Sequence, residues 1–192
     1  MQKRVFPQTP ICLLVLALAF TLVPAGVRAE GPWHNLESKH VSIYYKSPDE
    51  LEKFTSRIRP KKYTKTVDDL YMSSSRYSPN DPAAIVDRLF LRVQRILGMR
   101  VAGLRVRIMV HPGQDEITEQ FKRYMGYEMK SPAFYFKRKN TIHVHLERLH
   151  AGILAHEMAH AVIEHSLGAP RGSHASETLC RYVDSQIMSN GY

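Results

Sequence analysis

Residues 156–160 read His156-Glu157-Met158-Ala159-His160, inside an apolar stretch that runs from Leu149 to Gly168. Two histidines four positions apart on an α-helix are separated by about 40° around the axis and about 6 Å along it. Both imidazoles therefore leave one face and can grip a single metal ion. The carboxylate beside the first histidine then stands where it can act on a metal-bound water. Ile153, Leu154, Met158, Ala161, Val162 and His165 support the helix at three- and four-residue steps. Gly168 occupies the position of a left-handed C-cap and Pro170 follows it. No Ser, Thr, Asp or Asn stands just before Leu149 to cap the start. The competing reading is a buried helix whose histidines are satisfied by hydrogen bonds, and a glutamate bracketed by two histidines at this spacing argues against it.

Catalytic zinc takes three protein ligands and keeps a fourth position for water. A third histidine six residues after His160, preceded by a glycine at the third, is absent: Ile163 and Ser166 stand there. A second helix is expected over residues 173–189, with Ser173 as N-cap and Ala175, Leu179, Tyr182, Val183 and Ile187 as its apolar face. Glu177 lies off that face, sixteen residues past His160. A short turn holding Gly168, Pro170 and Gly172 lets the second helix fold back antiparallel and bring Glu177 to the metal. Cys180 reads as a small buried apolar residue, because it lies about 60° around the helix from Glu177.

Ser176-Glu177-Thr178-Leu179-Cys180-Arg181-Tyr182 resembles the S-E-G-x-A-x-Y stretch that carries the third zinc ligand in gluzincin metallopeptidases of the peptidase MA-like kind. Upstream, His40 to Tyr45, Arg105 to Val110 and Asn140 to His145 are similar in order and type to the strands that precede the active-site helix in that group. The resemblance covers most of residues 36–189, and its specific part is the ligand motif. It implies a zincin-like fold, one zinc ion held by His156, His160 and Glu177, Glu157 as general base, and hydrolysis of peptide bonds. It also implies that the strand holding Thr141, Ile142, His143 and Val144 is an edge strand that pairs with an extended substrate. Two departures from the family pattern matter here. Thr178 replaces its glycine, and the chain ends at Tyr192, where larger gluzincins continue into a subdomain that supplies an oxyanion-stabilising Tyr or His. His174, one turn before Glu177, and Tyr182, five residues after it, are the candidates for that contact. His143 and His145 alternate onto one face of their strand and read as solvated or core-packed. A carboxylate that orients a ligand histidine is expected; Asp184 lies two turns past Glu177, which places it too far, so that role stays unassigned.

Residues 1–29 have the pattern of a cleavable secretory signal: basic Lys3 and Arg4, the apolar run Ile11 to Val23, and small residues in Val27-Arg28-Ala29. The run is shorter than the roughly 20 residues that cross a bilayer, so a secreted or periplasmic protein with no stable membrane insertion is expected. Removing these residues leaves Cys180 as the one cysteine and lowers the formal charge from +9 to +6. Residues 30–192 are then one domain by length. The basic clusters, Lys137-Arg138-Lys139 foremost, suit a solvated face or an anionic envelope polymer. Aromatics are not interleaved for base stacking, so no nucleic-acid partner is expected.

Along the chain the expected order is strand 40–46, helix 49–59, helix 81–98, strand 104–110, helix 114–125, strands 133–137 and 141–146 around a tight turn, then the two helices of the site. Residues 61–80 read as loop, with room for one helical turn at 67–71 and for a lid. The pattern argues an α+β domain: a small twisted, mostly antiparallel-edged sheet packed on helices. Two alternatives to a zinc peptidase remain at this point: a zinc-binding scaffold of the same fold with weak turnover, and a zinc hydrolase acting on an envelope polymer instead of peptide.

Overall fold

The structure, a computed structural model, describes residues 32–61, 78, 80–168 and 173–189. The signal pattern, the turn at 67–71 and nearly all of the suggested lid lie outside these residues. Among those described, no helix is long and apolar enough to cross a membrane.

The fold is α+β. Five strands, β1 (His34–Glu37), β2 (Val41–Tyr45), β3 (Val106–His111), β4 (Ala133–Phe136) and β5 (Thr141–His145), form one mixed sheet in the order β1-β2-β3-β5-β4. Both outer strands pair antiparallel and the two inner pairings are parallel. Strand β1 was not legible in the sequence. It is mostly exposed, and Leu36 is its one apolar residue, so it carries no alternating pattern. Its turn into β2 is fixed from elsewhere: the buried carboxylate of Asp87 accepts hydrogen bonds from Ser38 Oγ (2.7 Å), the Lys39 amide (3.0 Å) and the His40 amide (3.0 Å).

Five helices accompany the sheet among the described residues: α1 (Pro48–Ile58), α2 (Pro82–Leu97), α3 (Gln114–Met125), α4 (Ala151–Leu167) and α5 (His174–Ser189). Their ends follow from capping chemistry. Ser47 and Asp81 accept from the amides of Glu50 and Ala83, each with proline opening the helix. The missing cap of α4 proves to be His150, whose Nδ1 accepts from the Ile153 amide at 3.3 Å. Gly168 ends α4 in the left-handed region at φ 63°. The tight turn before β5 is a single 3₁₀ turn, Lys137–Lys139, closed by left-handed Asn140.

The sheet has two apolar faces. Val41, Ile43, Val106, Ile108, Val110, Ile142 and Val144 pack with α1, α2, α4 and α5 into the main core. Phe134 packs with Ile117 and Phe121 of α3 on the other face. Helix α4 is buried on nearly every side from Ala151 to Glu164, so it is the centre of the main core and no surface helix.

Side chains of α5 pack against α4 over Gly152. A β-carbon built there would stand 1.9 Å from Asp184 Oδ1 and 2.9 Å from Met188 Cγ. On helix propensity alone, Gly152→Ala should stabilise the chain by about 1 kcal/mol. The clash reverses that sign, and urea unfolding should show a loss of about 1–3 kcal/mol. Adding Asp184→Ala in the same chain should restore part of it, because the nearest obstructing atom is then gone.

Candidate metal and active site

His156 and His160 project from adjacent turns of α4, with ring centroids 5.0 Å apart and ring planes at 71°. Helix α5 runs antiparallel across them and presents Glu177. Its Oε1 lies 3.3 Å from His160 Nε2 and its Oε2 lies 3.6 Å from His156 Nε2. Metal–ligand bonds of about 2.1 Å in a tetrahedron put neighbouring ligand atoms about 3.4 Å apart. Both separations are close to such an edge, so the Glu177 carboxylate stands within reach of an ion that the two imidazoles could hold, and two imidazoles with a carboxylate are a donor set that suits divalent ions such as zinc. The side chains grade from wet to dry: Glu177 is 34% exposed, His156 22% and His160 2%. The site therefore opens to solvent at Glu177 and closes at His160. Glu157 is buried, one residue along α4 from His156.

Two neighbours complete the group. Ser176 is buried, with Oγ 3.4 Å from His160 Nδ1. That contact leaves Nε2 as the nitrogen facing Glu177. Sequence reasoning passed over Ser176, although it immediately precedes the glutamate. Cys180, fully buried, also belongs here: its sulfur and one nitrogen from each of His156 and His160 lie within 4.8 Å of one another. The offset of about 60° from Glu177 does not remove it from the site, because the helices are so close that both residues reach the same imidazoles.

Other expectations need correction. The apolar face of α5 is Ser176, Cys180, Val183 and Ile187; Ala175 and Tyr182 point outward. Tyr182 is 51% exposed and about 140° around the helix from Glu177, so it does not face the imidazoles. His174 is exposed about 60° from Glu177, on the outer lip. Asp184 lies on the side of α5 that meets α4. It packs over Gly152, one turn before His156, with Oδ1 buried and without a hydrogen bond.

The edge-strand assignment moves as well. Thr141, Ile142, His143 and Val144 lie on β5, which is paired on both sides and buried throughout. It cannot take a substrate strand. The sheet ends at β4, whose outer side carries no partner strand among the described residues, and β4 packs directly on α4.

His143 points away from the metal group, to the α3 face. Its Nδ1 is 2.9 Å from His111 Nε2, and its ring stacks on Phe134 at 4.7 Å. Burial pushes its pKa down to about 3, with the charges of His111 and Lys139 adding to the shift. Glu116, 3.7 Å from His111 Nδ1, and Tyr124 also border the pair.

Comparison with models of protein families, with curated proteins and with solved structures gives no match for this chain.

The neutral His143 sets a pH dependence of stability. The folded imidazole stays unprotonated, while the unfolded chain takes up a proton near pH 6.5. Its contribution is therefore complete above that value and is lost as pH falls towards 3, by up to about 1.4 kcal/mol per unit. Between pH 7 and pH 5, His143→Phe should lose about 2 kcal/mol less stability than the parent in urea titrations. Parallel curves for the two proteins would show that His143 titrates normally.

Proposed function

We propose that this protein is an exported zinc-dependent peptidase of zincin-like fold, with His156, His160 and Glu177 holding one zinc ion and Glu157 acting as general base. The observation that carries the reading is the position of the Glu177 carboxylate, one oxygen beside each imidazole of the H-E-x-x-H pair at 3.3 and 3.6 Å. Bound zinc acidifies water and polarises a carbonyl oxygen.

The chain's own residues do the rest. Glu157, buried beside His156, receives the proton of the attacking water and passes it to the leaving amine nitrogen. Ser176 holds His160 in the ring orientation that turns Nε2 towards Glu177. An extended peptide would lie along the outer side of β4, taking main-chain hydrogen bonds from the strand while β4 rests on the helix bearing the histidines. His174, on the lip beside Glu177, is placed to meet substrate. The pattern of residues 1–29 supports export.

The purified protein should carry one equivalent of zinc by elemental analysis. Glu157→Gln should keep the metal and lose peptide hydrolysis by about 10²-fold or more. Glu177→Ala should lower zinc occupancy far more than Asp184→Ala. Equal occupancy in those two variants would remove Glu177 from the ligand set, and unchanged hydrolysis in Glu157→Gln would remove the peptidase reading.

A further inference from the structure

The pair of histidines has two acidic neighbours on α5, one on each side. Glu177 reaches them from the solvent side and is one-third exposed. Cys180 reaches them from the core, where it is fully buried between α4 and α5. Its sulfur and a nitrogen of each histidine share a space in which no pair of ligand atoms is more than 4.8 Å apart. A zinc–sulfur bond of about 2.3 Å beside zinc–nitrogen bonds of about 2.1 Å puts sulfur about 3.6 Å from nitrogen, so this spacing is within a small side-chain adjustment of coordination. Two imidazoles and the thiol form one group, with the Glu177 carboxylate 3.3 and 3.6 Å from the same imidazoles, so the cysteine is not an isolated one. Thiolate is also the donor that zinc and its soft neighbours bind most selectively.

Resting on the metal reading above, we infer that Cys180 supplies a fourth, thiolate ligand to the ion held by His156, His160 and Glu177. Cys180 would give up its thiol proton to solvent on ligation and would occupy the position otherwise open to water. Four protein ligands make a closed site of the structural kind, whereas hydrolysis requires an open position. The protein with sulfur attached is thus a resting form that binds its ion more tightly and turns over more slowly. Release of the sulfur opens the site. In the family motif that residues 176–182 resemble, alanine stands where this chain has Cys180, so the latch belongs to this sequence.

The test is optical. The full exported protein is loaded with cobalt(II) in place of zinc and its spectrum recorded beside those of Cys180→Ala and Cys180→Ser. The parent should show the near-ultraviolet thiolate-to-cobalt charge-transfer band together with the visible bands of four-coordinate cobalt. Cys180→Ala should lose the first, keep visible cobalt bands, release zinc to a chelator about tenfold more readily and hydrolyse peptide faster. Visible cobalt bands in the parent without the thiolate band would overturn the fourth ligand and leave the three-ligand peptidase site standing. No cobalt bands at all in the parent would overturn both. The parent spectrum alone decides the question if neither variant folds.

Discussion

Two antiparallel helices meet at Gly152 with no room for a methyl group, and the site exists because they come that close. Asp184 Oδ1 sits where a β-carbon would be. One turn further along α4 the same approach brings α5 against His156, and a turn beyond that against His160. Antiparallel packing pairs residues whose numbers sum to a nearly constant value, so Glu177 and Cys180 fall opposite the histidines once Asp184 falls opposite Gly152. A wider crossing would leave the imidazoles facing solvent and Glu177 out of bonding range.

That closeness puts polar groups in the middle of the main core. His160, Glu157, Glu164 and Ser176 are all buried, and α4 has apolar neighbours on nearly every side. Both Glu164 oxygens lack a hydrogen bond, and Lys137 Nζ stands 3.5 Å from one of them. Buried carboxylates and imidazoles destabilise a fold unless they are paired or hold a cation. A divalent ion among His156, His160 and Glu177 would offset part of that cost, which couples metal binding to stability. The sheet provides the rigid backing: β4 and β5 lie directly against α4, and α3 covers their far face with a separate apolar cluster.

On that far face, His111 and His143 form a second buried pair, close in space and chemically distinct from the first. It has aromatic rings around it and a neutral His143, and its two imidazoles contact each other directly. The contrast shows why histidines alone say little: the alternation that put His143 and His145 on one face of a strand identified burial and nothing more.

Several features were legible in the sequence because they are local. The capping residues Asp81 and Ser173, the glycines that end α3 and α4, and the strand alternation of Val106, Ile108 and Val110 act within a few residues and need no partner from afar. The i, i+4 histidine pair belongs to the same class, since helix geometry alone puts both rings on one face. Tertiary structure decided the rest. It made β4 and not β5 the outer strand, placed β1 on the opposite edge, turned Tyr182 away, and brought Cys180 and Asp184 in against α4. Each of these depends on the order of strands in the sheet or on the depth at which two helices pack. Those quantities arise from residues far apart in the chain, so no spacing within one element encodes them.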